Sequence, residues 1–244
     1  MEECVADRRP SAGSPGTPGR HDVPDLYVIA GPEGSGKSSV VTGLGLDLLC
    51  TAIIDPCNFA RGITDMCDGT GRCDMATGMC TRIRGDLLGM GAGFGFETTA
   101  SDDGLEFVRR ARDRGYRVNL VFVSTSDPDI NVSRIGERVR RGGHGVPEDE
   151  VRSGYDRTVS LLPEYLSLSD EAVVLDNSGD GPVMVLTKTD DGVVIADDAP
   201  EWVMECIPSD GTAGWYPSPE DGSRYDPDGP RTLRDGAVHA DRLP

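Results

Sequence analysis

Lysine is nearly absent from this chain of 244 residues: of its 24 cations only Lys37 and Lys188 are lysines, and the rest are arginine. Cations of either kind are scarce beside 42 aspartates and glutamates, which leaves a formal net charge of -18 and a pI near 4.4. A protein that binds nucleic-acid backbones carries a basic footprint, so nucleic acid is not an expected partner. The acidity serves solubility and says little about fold. Long apolar runs are missing too. No stretch approaches the roughly 20 apolar residues that span a bilayer, and the first residues hold no apolar signal core, so the expectation is a cytoplasmic protein without a membrane partner. Structural-zinc spacing is also lacking. Three of the seven cysteines fall together as Cys67, Cys73 and Cys80, but without the C-x2-C knuckle. Reduced thiols are the simpler expectation, with a metal site near Asp65, Asp68 and Asp74 as the alternative.

What the chain does carry is "VIAGPEGSGKSS", Val28 to Ser39, in which an apolar run breaks into glycine and small polar residues. Gly31, Gly36, Lys37 and Ser38 satisfy G-x-x-x-x-G-K-S/T directly after Leu26 to Ala30, the strand-then-loop context of a P-loop. Glycines let such a loop curl so that backbone N–H groups point at phosphate oxygens, and the helix that follows adds its positive end. Lys37 would then reach the β- and γ-phosphates of ATP, and Ser38 would offer its hydroxyl to Mg²⁺. In a chain that otherwise uses arginine, a compact ammonium here is what a phosphate cradle accommodates.

The length suits one α/β domain with tails. Residues 1 to about 23 are rich in Pro, Gly and Ser and read as a disordered arm, residues 24–206 as the folded domain, and residues 207–244 as a second disordered, acidic Pro/Gly-rich tail. Within the domain a helix is expected from Lys37 to Leu49, and a short buried strand over Thr51–Ile54. Residues 61–80 are glycine-rich and give no clear pattern. Phe94–Glu97 reads as a strand ending in a carboxylate, Asp102 as the cap of a helix running to about Arg114, and "YRVNLVFVST" as a continuous buried strand. Asp127 or Asp129 opens a basic helix to about Arg141, Pro147 begins another, and "AVVLDNS" gives a last core strand, followed by a hairpin across Asp190 and Asp191. Strands alternating with helices predict an α/β fold: a P-loop NTPase-type parallel sheet with helices on both faces and ligands at the carboxyl ends of the strands.

Arg134, Arg138 and Arg141 share one helical face before Gly142, Gly143 and His144 break the helix. Their guanidinium forks could close over a nucleotide as a lid, or form a solvated face paired with aspartates. Asp176 ends a strand as a Walker-B acid would, and an Asp-Asn turn explains it equally well.

In order and spacing, "GPEGSGKSS … IIDPCNFAR … FGFETTAS … SRIGERVRRGGHGVPEDEVRSGYDRT … VVLDNS" resembles the zeta-toxin-like P-loop kinases over roughly residues 26–178. The "FETT" and "GGH-x-VP" segments carry the resemblance more specifically than the loop. It implies an ATP- and Mg²⁺-dependent small-molecule kinase that phosphorylates a hydroxyl, of a UDP-N-acetylamino sugar in the best-known members, with an antitoxin-like protein partner. It places nucleotide contacts at Gly31, Glu33, Gly34, Ser35, Gly36, Lys37, Ser38 and Ser39, with Arg138 and His144 from the lid. Acceptor contacts fall at Glu97 and Thr98, and the phosphoryl-stabilising arginine at Arg134.

The sequence departs from this family twice. Where an aspartate base ends the second strand, this chain has Asp55-Pro56-Cys57. A thiol with an ordinary pKa near 8.5 is mostly protonated at neutral pH, so Asp55 is the expected substitute base, two residues earlier, on the same face of an extended strand and about 6.6 Å along it. A nucleotide-binding module without phosphoryl transfer is the alternative function. Gly154 is the second departure, standing where an arginine would precede Tyr155.

Overall fold

The computed structural model describes residues 23–45, 50, 52–62 and 69–207, with the side chains of 69–73 excluded. The expected terminal arms therefore lie, but for Val23 and Ile207, outside the described residues. Seven strands form one sheet: β1 (Asp25–Ala30), β2 (Ile53–Ile54), β3 (Phe94–Thr98), β4 (Arg117–Ser124), β5 (Glu171–Asp176), β6 (Val183–Thr189) and β7 (Gly192–Ile195). Their spatial order is β2-β3-β1-β4-β5-β6-β7. The first five run parallel, and β6 and β7 add the expected antiparallel hairpin at one edge.

Central β1 pairs with β3 on one side and β4 on the other, so the chain leaves it at the point where the strand order reverses. Ligands of open parallel sheets bind at such a crevice, and the glycine-rich loop issues from it.

Alternation along β4 builds two apolar layers. Val118, Leu120 and Phe122 join Phe94, Phe96, Phe107, Tyr165 and Trp202 in the larger one, while Val123 packs with Val40 and Leu175 on the other face. Among the described residues the helices are α1 (Lys37–Gly43), α2 (Pro56–Gly62), α3 (Gly69–Met90), α4 (Asp102–Asp113), α5 (Pro128–Arg140), α6 (Glu148–Ser160), α7 (Leu162–Leu168) and α8 (Glu201–Cys206). Helix α1 covers the smaller layer, and α3, α4, α6, α7 and α8 bury residues in the larger, which gives the expected helices on both faces.

Several local expectations change. Helix α1 ends at Gly43 rather than reaching Leu49, with Leu44 as its C-cap; residues 46–49 lie outside the described set. Of the expected strand, Ile53 and Ile54 pair with β3 and the Ala52 carbonyl accepts from the Gly95 N–H at 2.8 Å, while Thr51 lies outside the described residues. Ser101, not Asp102, caps α4 by accepting from the Gly104 N–H at 3.3 Å. Asp127 caps α5, accepting from the Asp129 N–H at 2.8 Å, with Pro128 in the first turn. Of the glycine-rich region without a pattern, residues 61–62 end α2, residues 63–68 lie outside the described set, and residues 69–80 open the 22-residue helix α3, which buries Ala76, Cys80 and Leu88 along one side.

Candidate active site

The loop between β1 and α1 is folded tightly against its neighbours. Gly31 sits at φ +145°, and a Cβ there would lie 1.9 Å from the Val123 carbonyl oxygen. Gly36 caps α1 at φ +93°, and a Cβ would meet the Asn177 amide nitrogen at 2.5 Å. Only glycine fits either position.

Lys37 is buried. Its Nζ donates to the carbonyls of Gly31 and Pro32, both at 2.9 Å, which ties the loop into a ring and leaves one of three ammonium donors for a ligand. Two asparagines that sequence reasoning missed brace this ring from distant elements. Asn131 on α5, fully buried, donates to the Glu33 carbonyl at 2.7 Å, and Asn177 after β5 donates to the Ser35 carbonyl at 2.8 Å. Asn177 stands in the quoted "VVLDNS", but nothing local to it indicates a partner so far back in the chain.

Two buried carboxylates lie near the loop: Glu97 feels the Lys37 charge, and Asp55 lies close enough to act on Glu97. Register places Glu97 beside Ile29, next to the root of the loop, and the Ser38 hydroxyl donates to its Oε2 at 3.1 Å. Burial, then the charge of Asp55, pushes the Glu97 carboxyl up to about 7, with Lys37 and the Ser38 hydrogen bond opposing the rise. Asp55 is 2% exposed, and its Oδ2 is buried with no partner among the described residues.

The expectation that Asp55 and Cys57 share one strand face is corrected. The strand ends at Ile54, and Asp55 caps α2 instead, its Oδ1 accepting from the Cys57 N–H at 2.8 Å and its carbonyl from the Phe59 N–H at 3.1 Å. Pro56 favours this turn because it sits well in a first helical position. Cys57 therefore occupies the first turn of α2. Burial, followed by the charges of Glu33 and Asp55, raises its thiol to about 11, so it stays protonated at neutral pH.

From the lid side, Arg138 pairs with Glu33 at 2.9 Å and donates through Nε to the His144 carbonyl at 2.9 Å. Burial alone would raise the Glu33 pKa, but Lys37 and then Arg138 overcome it and hold it low. Arg134 approaches the Ser35 carbonyl at 3.5 Å. The third expected arginine is not with them: Arg141 turns out to solvent and pairs with Glu137 one turn back. Besides the Asp55 oxygen, Ser35 Oγ in the loop and Arg138 Nη2 above it are buried atoms of this site without partners among the described residues. A polyanion with its cation would meet these atoms, so the residues fit MgATP: Ser38, Glu97 and Asp55 toward the metal, Lys37, Arg134 and Arg138 toward phosphate.

The remaining candidates divide. Gly34 and Glu33 belong to the loop, and Ser39 is exposed in the first turn of α1. His144 reaches the site through its carbonyl, while its ring charge helps to lower Glu33. Thr98 points to the opposite face of β3 from Glu97, where its hydroxyl meets Tyr165. Asp176 is not a Walker-B acid. It lies on β5, separated from β1 by β4, and its oxygens accept from the Ser178 N–H at 2.9 Å and the Trp202 indole at 2.8 Å. Around Gly154 a Cβ would meet nothing within 4 Å. Cys67 and the Cys73 side chain lie outside the described residues, so their grouping with Cys80 is not tested.

No protein-family model matches the chain. An uncharacterized protein of Haemophilus influenzae is 34% identical over 64 residues, which span 26% of this chain and 46% of that relative. Among solved structures, the native AvrRxo1-ORF1:AvrRxo1-ORF2 complex contains a chain that superposes with a TM-score of 0.61 at 16% identity, over 77% of this chain and 65% of that one. The same complex with ATP gives 0.59 at 15% identity, over 72% and 61%. The chain shares their fold. It spans less than two thirds of each of these matched chains. Within that fold, the P-loop-type parallel sheet expected from sequence is observed, and no described helix is long and apolar enough to cross a membrane.

Proposed function

We propose that this chain is an ATP-dependent small-molecule kinase that transfers the γ-phosphate to an acceptor hydroxyl. The observation that carries it is the Lys37 ring with two buried carboxylates, Asp55 and Glu97, near it and Arg134 and Arg138 above. A loop that only gripped nucleotide would not need a second buried acid with an unpartnered oxygen beside it. Lys37 and the loop amides hold the β- and γ-phosphates. Mg²⁺, held through Ser38 with Glu97 and Asp55 nearby, supplies charge neutralisation between those phosphates when bound. Glu97 orients the acceptor hydroxyl, Asp55 takes its proton, and Arg134 stabilises charge on the transferred group. A UDP-N-acetylamino sugar is the acceptor that the sequence resemblance implies. The AvrRxo1-ORF1 structures hold a second protein, AvrRxo1-ORF2, which supports a protein partner of the antitoxin kind here as well.

One observation favours a second function, nucleotide binding without transfer: the residue at the family's base position, Cys57, is a protonated thiol. A screen of nucleotide sugars and simple polyols with labelled ATP separates the two. The kinase yields a labelled acceptor that Lys37→Ala abolishes, together with calorimetric binding of a non-hydrolysable ATP analogue. Analogue binding with no product from any acceptor leaves the binding module; equal analogue affinity in Lys37→Ala rejects both.

A further inference from the structure

Arg84 interrupts the buried stripe of α3, one turn beyond Cys80 and one before Leu88, where an apolar residue would complete the pattern. Its guanidinium carbon stands 4.8 Å from the centre of the Phe96 ring and 5.3 Å from that of Phe107. Arg110 of α4 approaches the same Phe107 ring at 5.4 Å. Two like charges thus share one aromatic ring, and among the described residues neither makes an ion pair. Arg84 has one hydrogen bond there, from Nη2 to Thr81 Oγ1 at 3.3 Å, and its Nε is buried with no acceptor. Guanidinium offers five N–H donors in a planar fork and keeps its charge at any ordinary pH.

A cation–π clamp accounts for the sandwich. It does not account for the buried Nε left without an acceptor, nor for a second guanidinium drawn onto the same ring when the carboxylate that acts on Arg84, Asp103, forms no ion pair with it among the described residues. Burial lowers the Arg84 pKa, and Arg110 adds to the fall, so the charge is held against its environment.

The position is next to the proposed chemistry. Helix α3 packs against β2 and against α2, which Asp55 caps, and the Cys80 thiol, one turn before Arg84, feels the Asp55 charge; Phe96 stands beside Glu97 on β3 but turns its ring to the other face of the sheet. Helical side chains lean toward the N-terminus of their helix, so Arg84 leans toward the turn that carries Cys80.

We propose that Arg84, with Arg110 beside it, forms a subsite between α3 and α4 for a phosphate or diphosphate group on the acceptor, holding the acceptor while its hydroxyl meets Asp55 and Glu97. The identity of the ligand as an acceptor rests on the kinase function proposed above; binding of the anion does not.

The test uses the full chain with its loop saturated by Mg²⁺ and a non-hydrolysable ATP analogue, titrated calorimetrically with pyrophosphate. Wild type should bind pyrophosphate, Arg84→Met should lose at least about tenfold in affinity, and Arg84→Lys should recover part of it. Unchanged analogue affinity in both variants reports an intact fold. Met keeps the long apolar stem against the two rings while removing the charge. No pyrophosphate binding by wild type, or equal binding by Arg84→Met, overturns the proposal. In the acceptor screen, Arg84→Met should raise KM for a nucleoside-diphosphate sugar with kcat nearly unchanged, and leave a neutral polyol unaffected. Equal effects on charged and neutral acceptors would make Arg84 structural. Arg84-dependent pyrophosphate binding with no labelled product from any acceptor would retain the subsite and reject the kinase.

Discussion

Asp55 and Cys57 sit two residues apart and are held in different ways. Asp55 is fixed by capping α2 through one oxygen while the other stays unpartnered, and Cys57 holds its proton to about 11. Asn caps helices as well as Asp does, so Asp55→Asn removes charge without removing the cap. Turnover should fall by at least ~10² with nucleotide affinity nearly intact, and Cys57→Ser should remain active, as steady-state kinetics beside calorimetry will register. A dead Cys57→Ser with an active Asp55→Asn would make the thiolate the base. Glu97 gives a second prediction, free of any acceptor. Its folded pKa, about 7, exceeds the ordinary 4.5, so between these values the folded protein keeps a proton that the unfolded chain releases. Stability from this group is therefore full below about 4.5, falls as pH rises to about 7, and is level above. Glu97→Gln cannot ionise. Its melting temperature relative to wild type should climb through that window in ligand-free protein, and a constant difference would reject the assignment.

At the scale of elements, α5 brings three side chains to the loop from consecutive turns: Asn131 braces a backbone carbonyl, Arg134 approaches the loop, and Arg138 binds both Glu33 and the segment at His144. Arg134 has no carboxylate partner among the described residues, so its charge is available to the group in flight. Arg134→Ala should depress turnover more than ATP affinity, because the charge it meets is greatest in the transition state. Arg138→Ala should act on the His144 segment instead. Amides of residues 142–145 should exchange hydrogen faster once the His144 carbonyl loses its donor, and equal exchange in the two variants would reject this division of labour. Helix α3 was illegible in the sequence for a reason visible in its packing. Its glycines lower propensity, and Arg84 replaces an apolar residue in the Ala76, Cys80, Leu88 stripe, so the periodicity that marks a helix is broken where the proposed subsite lies.

At the scale of the whole molecule, the hairpin edge and α8 close the larger apolar layer. Trp202 carries its ring against Phe122, with centroids 6.4 Å apart, and its indole N–H onto Asp176. Trp202→Phe keeps most of the apolar area and leaves a charged acceptor short of a donor. It should lower stability by about 1–3 kcal/mol in denaturant titration while ATP-analogue affinity is unchanged, since α8 packs on α6 and on the larger apolar layer. A large loss of analogue affinity would place α8 in the site.

The amino-acid sequence by itself determined the P-loop, most strands and the basic helix, because these depend on neighbours along the chain. Glycine permits the loop curl, Lys37 closes a ring on carbonyls five and six residues away, Asp127 caps the helix that follows it, and alternating apolar residues commit β4 to a buried place. Tertiary structure alone decided which acids face the loop. Strand order puts β3 beside β1 and β5 beyond β4, so Glu97 meets Ser38 while Asp176 anchors a tryptophan, though both end strands in the sequence. It also recruited Asn131 and Asn177, 98 and 142 residues from the carbonyls they brace. Buried backbone groups must find partners wherever packing brings them, and that packing is set by the competition of whole helices and strands for apolar contact, which no local pattern records.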